Sequence, residues 1–296
     1  MKADFLLLGV DGGGTRCRAR LCALSGRVLA EATTGPANLR LGLEQSFSAV
    51  MEATAECLRQ AGLPLSQVRR IAACLALAGA SEPTNLAEAQ AHPHPFGKMI
   101  VTTDAHAACI GAHGGRDGGV VVVGTGAVGW AIVKGRCFRV GGWGMPISDE
   151  GSGAWLGCET LRRVLWAIDG RVAWTQLLRT VAAGFGDDPH AIVRWTQTAS
   201  PRDFASLAPD VFDYAAQGDM AASELVRLAA GHVDALARRL LDAGSERLAL
   251  VGGCAPFLAP GLSREIRSHL IEPAGDALSG AIKLARSAVG SLARVA

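Results

Sequence analysis

Residues 5–21 read FLLLGVDGGGTRCRARL, and this stretch decides the fold. The apolar run 5–10 ends abruptly at an acid and three glycines, which is typical of a buried strand followed by a loop. Residues 16–21 then alternate between polar and apolar side chains, which is the period of a strand and not of a helix. The glycine loop is therefore predicted to be the turn of a β-hairpin.

The residues of this turn suit a phosphate-binding loop. Gly12, Gly13 and Gly14 leave backbone N–H groups accessible to phosphate oxygens, because no side chain covers them. Thr15 adds a hydroxyl donor, and Asp11 can hold Mg²⁺ directly or through water. No lysine follows at the position that a Walker loop requires. Taken alone, the loop is equally compatible with an acidic, glycine-rich turn that binds nothing.

A second glycine loop, Gly124-Thr125-Gly126, follows the apolar run 120–123, so the order of strand, glycine loop and strand recurs. Residues 124–129 match the GxGxxG dinucleotide fingerprint, which needs a helix after its glycines. The glycines and the proline between 135 and 146 would break such a helix. A second hairpin is predicted instead, able to hold the terminal phosphates of a nucleotide; an ordinary tight turn is the alternative.

Further strands and helices follow from the apolar pattern. The runs Met99–Thr103, before Asp104, and Leu248–Val251, before Gly252 and Gly253, are predicted strands. Ligands collect beyond the carboxyl ends of such strands, so the four strand ends suggest one shared cleft. Helices are predicted from Leu43 to Leu58, over Asp219–Leu241 and over Ala277–Ala296, and 162–217 is predicted to be mostly helical with breaks.

Two acids are candidates for chemistry. Phosphoryl transfer to a hydroxyl needs aligned reactants, charge stabilisation and a carboxylate that accepts the proton. Asp104 is the predicted base, because it ends a strand and precedes a predicted helix over 105–114. Asp149 follows Gly141-Gly142-Trp143-Gly144, and a planar acceptor beside an aromatic ring suits a carbohydrate. The alternatives are a helix-capping role for either acid and a core position for Trp143.

Composition excludes several classes of protein. The 296 residues suit two domains; 49% are hydrophobic and 19% charged, which argues against global disorder. A net charge of +2 gives no basic field for nucleic acid or a membrane surface. No apolar run has the length of a signal-peptide core or a membrane span. Eight scattered cysteines without a CxxC pair argue against a zinc ribbon and favour a reducing cytoplasm.

Together the motifs resemble a known family. In chain order they are DGGGT (11–15), ALAG (76–79), TTDA (102–105), GTG (124–126), GGWG (141–144) and DEGS (149–152). This order is similar to that of the N-acetylglucosamine kinases of the BadF/BadG/BcrA/BcrD ATPase family. The resemblance implies an α/β fold of two ribonuclease-H-like (actin/hexokinase-type) domains, with mixed sheets flanked by helices and an interdomain active-site cleft. The expected domains are 1–116 and 117–278, with a C-terminal helix, 279–296, able to pack back on the first.

The resemblance also implies roles for individual residues, with ATP and Mg²⁺ as cofactors. Asp104 matches the general base toward the 6-hydroxyl of an amino sugar, and Asp11 matches the acid near Mg²⁺. The positions that match sugar-binding residues are Asn38, Gly79, Asp104, Gly142, Trp143, Gly144 and Asp149. Those that match nucleotide-binding residues are Asp11, Gly12, Gly13, Gly14, Thr15, Thr125, Gly126, Gly252, Gly253 and Ala255. A cytoplasmic homodimer without nucleic-acid or membrane partners is expected.

One departure from the family pattern leaves the acceptor open. Family members commonly carry a polar pair after GTG, where this chain has Ala127 and Val128, so glucosamine is an alternative to N-acetylglucosamine. A second alternative is an ATPase activator that carries an iron–sulfur cluster, for which Cys137 and Cys158 are the available ligand pair. A sugar-binding regulator without catalysis is disfavoured, because the predicted base and both glycine loops are intact.

Overall fold

The structure, a computed structural model, describes residues 5–290. The strands are β1 (Leu6–Gly12), β2 (Cys17–Ala23), β3 (Val28–Thr34), β4 (Ile71–Leu77), β5 (Lys98–Thr102), β6 (Gly118–Val123), β7 (Ala127–Val133), β8 (Arg136–Gly141) and β9 (Leu248–Val251). The helices are α1 (Leu43–Gln60), α2 (Pro83–Ala91), α3 (Asp104–Ala112), α4 (Gly153–Ile168), α5 (Gln176–Gly184), α6 (Pro189–Thr196), α7 (Pro201–Ala205), α8 (Ala208–Ala216), α9 (Met220–Asp242), α10 (Ala255–Leu258), α11 (Arg264–His269) and α12 (Ala277–Gly290). None of these helices combines the length and the apolar character that crossing a bilayer requires.

The described residues divide into two compact units, each with its own sheet. The first unit takes the chain up to Gly118 and again from Glu272, and the second takes Gly119–Ile271. The chain was predicted to change domain after residue 116, and the end of the predicted C-terminal helix, 291–296, lies outside the described residues. The α/β fold class with two mixed sheets flanked by helices is confirmed.

In the first unit, the described strands form a sheet in the order β3-β2-β1-β4-β5. The pairs β1–β2 and β2–β3 are antiparallel, whereas β4 runs parallel to both β1 and β5. Gly12 pairs with Cys17 across the first glycine loop, and Gly13 N–H donates to the Arg16 carbonyl at 2.9 Å. The predicted hairpin is therefore confirmed. Strands β3 and β4 were not predicted.

Strand β1 is buried on both faces, which explains its continuous apolar run. Leu8 and Val10 lie in the core that α1 covers, whereas Leu7 lies in the core on the opposite face, with α3 and α12. All three side chains are fully buried. Burial of each stabilises the fold by about 1.5–3 kcal/mol relative to exposure. Because successive side chains of β1 point to opposite faces, the strand packs against helices on both faces of the sheet.

In the second unit, the described strands form a sheet in the order β8-β7-β6-β9, with β6 parallel to β9 and β7 antiparallel to β8. Strand β7, and not a helix, follows the second glycine loop. The second predicted hairpin is confirmed, and GxGxxG here is no dinucleotide fingerprint. Helices α4–α8 account for most of 162–217, so the prediction of a broken helical region is also confirmed.

The eight cysteines are free thiols, and six of them are buried. Burial raises the pKa of Cys17 and of Cys74 to about 12 and that of Cys57 to about 11. Such thiols behave as small apolar side chains, as predicted for most of them, because the reactive thiolate is suppressed.

Helices α3 and α12 approach each other closely through glycines. A Cβ added to Gly280 would lie 1.9 Å from the Ala107 carbonyl oxygen, and one added to Gly111 would lie 2.0 Å from the Asp276 carbonyl oxygen. We expect Gly280→Ala to lower the free energy of unfolding by about 1–3 kcal/mol, because the helices must separate to admit a methyl group. Urea unfolding followed by circular dichroism measures the change.

The matched control is Gly231→Ala, in the exposed middle of α9, where an added Cβ meets nothing within 4 Å. This substitution should leave the protein as stable or stabilise it by up to about 1 kcal/mol, since alanine has the higher helix propensity. Equal stability of the two variants would contradict the close helix contact.

Candidate functional site

In the first unit, hydrogen bonds join three segments at the carboxyl ends of β1 and β4. Ala78 N–H donates to the Gly12 carbonyl at 2.7 Å, and Ala37 N–H donates to the Gly13 carbonyl at 3.1 Å. Leu39 N–H donates in turn to the Ala78 carbonyl at 2.9 Å. The first glycine loop, residues 37–39 and the end of β4 therefore form one connected surface.

Asn38 lies between the two glycine segments of this surface. Its Oδ1 accepts a hydrogen bond from Arg40 N–H at 3.0 Å, which caps a short 3₁₀ helix. A Cβ added to Gly14 would lie 3.6 Å from Asn38 Nδ2, and one added to Gly79 would lie 2.9 Å from Asn38 Oδ1. The structure thus brings Asn38 close to Gly14 and Gly79, and all three are predicted binding residues of this unit.

Asp104 is the first residue of α3, and one residue, Thr103, separates it from the end of β5. The N-cap of α3 is Thr103, whose hydroxyl accepts from His106 N–H at 3.0 Å. Asp104 is half-buried, and its Oδ1 accepts from Ala105 N–H at 2.8 Å. The capping alternative for Asp104 is therefore wrong, because the hydroxyl before it fills that position. Since β5 runs parallel to β4, Asp104 belongs to the same edge of the sheet as Gly79.

His106 follows Ala105 in α3, and its surroundings favour the neutral form of the imidazole. Its Nδ1 lies 2.8 Å from Thr102 Oγ1. Burial lowers the pKa of His106, because desolvation disfavours the imidazolium form. Near neutral pH this histidine adds no positive charge to the segment that carries Asp104.

Asp11 takes part in a chain of alternating charges that the sequence did not reveal. Arg18 Nη2 lies 2.6 Å from Asp11 Oδ2, and Arg18 Nη1 lies 3.9 Å from Asp276 Oδ2. Both oxygens of Asp276 also accept from Arg20 at 3.1 Å. Burial raises the pKa of Asp276, but hydrogen bonds from Ser279 and the charge of Arg20 outweigh it, so this pKa is lowered. Among the described residues, Arg18 alone pairs with the Asp11 carboxylate.

In the second unit, the second glycine loop is tied to the start of α4. Gly124 N–H donates to the Gly126 carbonyl at 2.9 Å and closes the turn. Gly153 N–H donates to the Gly124 carbonyl at 2.8 Å, and Ala154 N–H donates to the Thr125 carbonyl at 3.1 Å. The loop is thus fixed by backbone contacts on the helix side as well as by the hairpin.

Asp149 connects this turn to the loop of residues 141–149, here named the Trp143 loop. Its Oδ1 accepts from Gly144 N–H at 3.1 Å, and a Cβ added to Gly126 would lie 2.7 Å from its Oδ2. Asp149 has a left-handed backbone with φ of 68°. The N-cap of α4 is Ser152, so the capping alternative for Asp149 is wrong as well.

Trp143 is 66% exposed, so the core alternative for this residue is wrong. Its backbone N–H donates to Ser148 Oγ at 3.4 Å, within the Trp143 loop. The guanidinium carbon of Arg139 lies 4.1 Å from the centre of its ring. The Trp143 loop thus carries an exposed aromatic ring, and the Asp149 carboxylate bonds the backbone N–H of the residue that follows Trp143.

The third segment predicted to bind the nucleotide, residues 252–255, lies against the end of β6. Cys254 N–H donates to the Val123 carbonyl at 3.1 Å, and Cys254 Sγ lies 3.7 Å from the Gly124 carbonyl oxygen. Gly252 has φ of 107°, and Ala255 begins α10. Parallel pairing of β6 and β9 therefore brings this segment and the second glycine loop to one edge of their sheet.

The pair that departs from the family pattern has a structural role. Ala127 is buried in the core of the second unit. A Cβ added to Gly142 would lie 2.7 Å from Val128 Cβ, so Val128 packs under the Trp143 loop. Neither side chain can donate or accept a hydrogen bond, so this pair offers no polar contact to an acyl group.

The two cysteines that an iron–sulfur cluster would need differ in exposure. Cys137 is exposed on β8, and Cys158 is half-buried on α4. Burial raises the pKa of both thiols, which disfavours the thiolate form that binds iron. Within residues 5–290, no group of three or more His, Cys, Asp or Glu side chains is arranged to hold a metal ion.

Comparison with known families decides where the chain belongs. The model of the BadF/BadG/BcrA/BcrD ATPase family matches residues 8–280. The chain belongs to this family. The match includes both glycine loops and Asp104, and it ends inside α12. The family membership that the motifs predicted is therefore confirmed.

Individual proteins are also similar to this chain. The glucosamine kinase GspK of Vibrio cholerae is 37% identical over 94% of this chain and 95% of its own. The N-acetylmuramic acid/N-acetylglucosamine kinase of Clostridium acetobutylicum is 34% identical over 56% of this chain and 55% of its own. A solved structure from Chromobacterium violaceum, named as a candidate N-acetylglucosamine kinase, is 38% identical, with a TM-score of 0.90 over 96% of this chain and 99% of that one.

The left-handed backbone of Asp149 allows a test of its structural role. We expect Asp149→Ala to lower the free energy of unfolding by about 2–3 kcal/mol, since alanine tolerates this conformation poorly and cannot accept from Gly144 N–H. Asp149→Asn should cost less than about 1 kcal/mol, because asparagine adopts positive φ and keeps an acceptor oxygen. Thermal and urea unfolding measure both.

Asp187→Ala is the matched control for backbone strain. Asp187 has φ of 56°, is exposed, and makes no side-chain hydrogen bond to any residue in 5–290. Asp187→Ala should lower the free energy of unfolding by about 1 kcal/mol, which is the cost of the left-handed backbone alone. If Asp149→Asn proved as destabilising as Asp149→Ala, the carboxylate charge, and not the backbone, would be what the loop needs.

Proposed function

We propose that the protein is an ATP-dependent kinase that transfers the γ-phosphoryl group of ATP to the 6-hydroxyl of an amino sugar. The observation that carries the proposal is the 37% identity to a glucosamine kinase across 94% of the chain. The relatives named above share the amino sugar as their substrate class. The strand-end carboxylate and the glycine loops supply groups that this reaction requires.

Asp104 is the proposed general base. As the 6-hydroxyl oxygen attacks the γ-phosphorus, its proton passes to the Asp104 carboxylate, and the bond from the γ-phosphorus to the bridging oxygen of ADP breaks. Asn38 and Gly79 of the first unit, with Trp143, Gly144 and Asp149 of the second, are the proposed sugar contacts. Gly142 is proposed with them through its backbone.

Backbone N–H groups of the two glycine loops are the proposed donors to the phosphates. Gly12, Gly14 and Thr15 serve in the first unit, whereas Gly13 N–H already donates to the Arg16 carbonyl, so Gly13 is proposed to contribute by leaving the loop free of a side chain. Thr125 and Gly126 serve in the second unit, with Gly252, Gly253 and Ala255 proposed at the adenosine. Donors fixed in the backbone need no reorganisation as negative charge develops.

Asp11 is the proposed residue for Mg²⁺. A carboxylate at the end of a strand, next to a glycine-rich loop, fits a hard cation that keeps most of its water ligands. When bound, Mg²⁺ neutralises charge on the phosphate oxygens. When Mg²⁺ is not bound, the ion pair with Arg18 holds the Asp11 carboxylate in place.

The acceptor is proposed to be an amino sugar of the glucose series, with two candidates. The motif order favours N-acetylglucosamine. Glucosamine is the second candidate, because Ala127 is buried, Val128 packs against Gly142, and neither has a polar group for the acetamide. A free amine needs an acceptor instead, which carboxylates such as Asp149 provide.

We also propose that the kinase acts in the cytoplasm as a homodimer. Eight free thiols, most of them buried, suit a reducing compartment. Light scattering on the purified protein tests the dimer, and a mass equal to that of one chain would exclude it.

The proposed base predicts a specific loss of turnover. We expect Asp104→Asn to lower kcat by about 10²–10⁴-fold, because the amide cannot accept the hydroxyl proton. The dissociation constant for ATP, measured by calorimetry, should stay within about twofold, because Asp104 is not a proposed nucleotide contact. Asp169→Asn, an exposed C-cap of α4, is the control and should keep the activity of the unchanged protein. Turnover of Asp104→Asn at that level would remove Asp104 from the base role.

A coupled assay of ADP release tests the function and the acceptor together. The panel holds N-acetylglucosamine, glucosamine, N-acetylmuramic acid, N-acetylmannosamine and glucose. We expect kcat/KM to be highest for N-acetylglucosamine or glucosamine, with product analysis locating the phosphate on the 6-hydroxyl. Absence of sugar-dependent ADP release across the panel would overturn the proposed function.

A further inference from the structure

Arg139 holds the first two residues of the Trp143 loop by their carbonyl oxygens. Its Nε donates to the Gly141 carbonyl at 3.0 Å, and its Nη2 donates to the Gly142 carbonyl at 2.5 Å. Charge-assisted bonds of this kind are about twice as strong as neutral ones. One side chain therefore fixes the direction in which two successive peptide groups face.

The backbone at these two residues explains why both carbonyls meet one guanidinium. Gly141 has φ of 65° and Gly142 has φ of 69°, a left-handed pair that residues with a Cβ rarely form. Strand alternation places Phe138 and Val140 in the core of the second unit, so Arg139 points to the opposite face of β8. The turn bends the chain back over that face.

The same guanidinium also supports the exposed aromatic ring. Arg139 Cζ lies 4.1 Å from the centre of the Trp143 ring, within the range of a cation–π contact. No lysine or arginine occurs between residues 140 and 161, so Arg139 is the nearest basic residue in sequence to the Trp143 loop. One face of the ring is backed by Arg139, while the side chain remains 66% exposed.

We propose that Arg139 is a positioning residue for sugar binding, acting through the Trp143 loop without itself contacting the sugar. It fixes the peptides of Gly141 and Gly142 and thereby directs Gly144 N–H toward Asp149 and the Trp143 ring toward the acceptor. The inference rests on the proposed function, because it assigns the Trp143 loop to the acceptor. It makes Arg139 a determinant of acceptor affinity and not of the chemical step.

Arginine is needed for this arrangement because of its shape. The planar guanidinium presents donors in two directions while its face stacks on an aromatic ring. Lysine supplies one ammonium, which can keep either a carbonyl bond or the cation–π contact but not the whole set. A graded effect from arginine to lysine to methionine is therefore expected.

Steady-state kinetics of Arg139→Met and Arg139→Lys test the inference, with Arg136→Met as the matched control. Arg136 is exposed at the start of the same strand. We expect Arg139→Met to raise the KM for the sugar about tenfold or more, the loss expected from two hydrogen bonds, with kcat and the KM for ATP changed less than about twofold. Arg139→Lys should recover part of the sugar affinity, and Arg136→Met should match the unchanged protein.

Hydrogen exchange measured by mass spectrometry provides a readout that does not need activity. Peptides covering 141–149 should exchange faster in Arg139→Met and not in Arg136→Met. A double-mutant cycle with Trp143→Ala should show that the two changes are not additive in sugar KM, since both act through one loop.

Two results would overturn the inference in an enzyme that does phosphorylate an amino sugar. One is an unchanged sugar KM in Arg139→Met, and the other is unchanged exchange of 141–149. A change in kcat alone would also exclude a positioning role in binding. If the unchanged protein phosphorylates no sugar, the proposed function fails instead, and the exchange experiment still shows whether Arg139 fixes the loop.

Discussion

Parallel strand pairing within each sheet is the constraint on which the candidate functional residues depend. In the first unit, Gly12 of β1 pairs with Leu77 of β4, and Ala76 of β4 pairs with Thr102 of β5. Because parallel strands end at the same edge, this register brings the first glycine loop, Gly79 and Asp104 to one edge. The two buried faces of β4 differ in side-chain size, since Leu75 and Leu77 lie in the core that α1 covers and Ala72, Cys74 and Ala76 lie in the opposite core. A shift by one residue would therefore exchange large and small side chains.

The second unit applies the same rule with different chemistry. Parallel pairing of β6 with β9 brings the Gly124–Gly126 turn beside residues 252–255. The Trp143 loop reaches this edge from the antiparallel side, through β8, and Asp149 links it to Gly126. Beyond Gly141, which still pairs with Val128, the loop belongs to no strand, and the side chains of Arg139, Ser148 and Asp149 bond its backbone.

The elements that could be predicted are those with a strong local pattern. Both hairpins follow from alternation after glycine, and α1 and α9 follow from helical periodicity. Strand β4 was missed because alanine and cysteine make up more than half of Ile71–Leu77, and alanine has a low strand propensity. Arg18 and Arg139 were missed because their partners depend on the register of the sheet and on left-handed glycines. An arginine placed two residues before a Gly-Gly pair was the one local signal for Arg139.

The two candidate carboxylates, Asp104 and Asp149, both lie near a helix start without being its N-cap. Aspartate next to a helix start is often its N-cap, and both Asp104 and Asp149 were open to that interpretation. In each case a hydroxyl residue is the cap: Thr103 for α3 and Ser152 for α4. Hydroxyl and carboxylate caps stabilise a helix to a similar extent, so folding alone does not require an acid at either place. Both acids lie beside glycine-rich backbone at strand and loop ends, where their oxygens accept backbone N–H groups outside the N-cap position, so neither carboxylate is explained by helix capping.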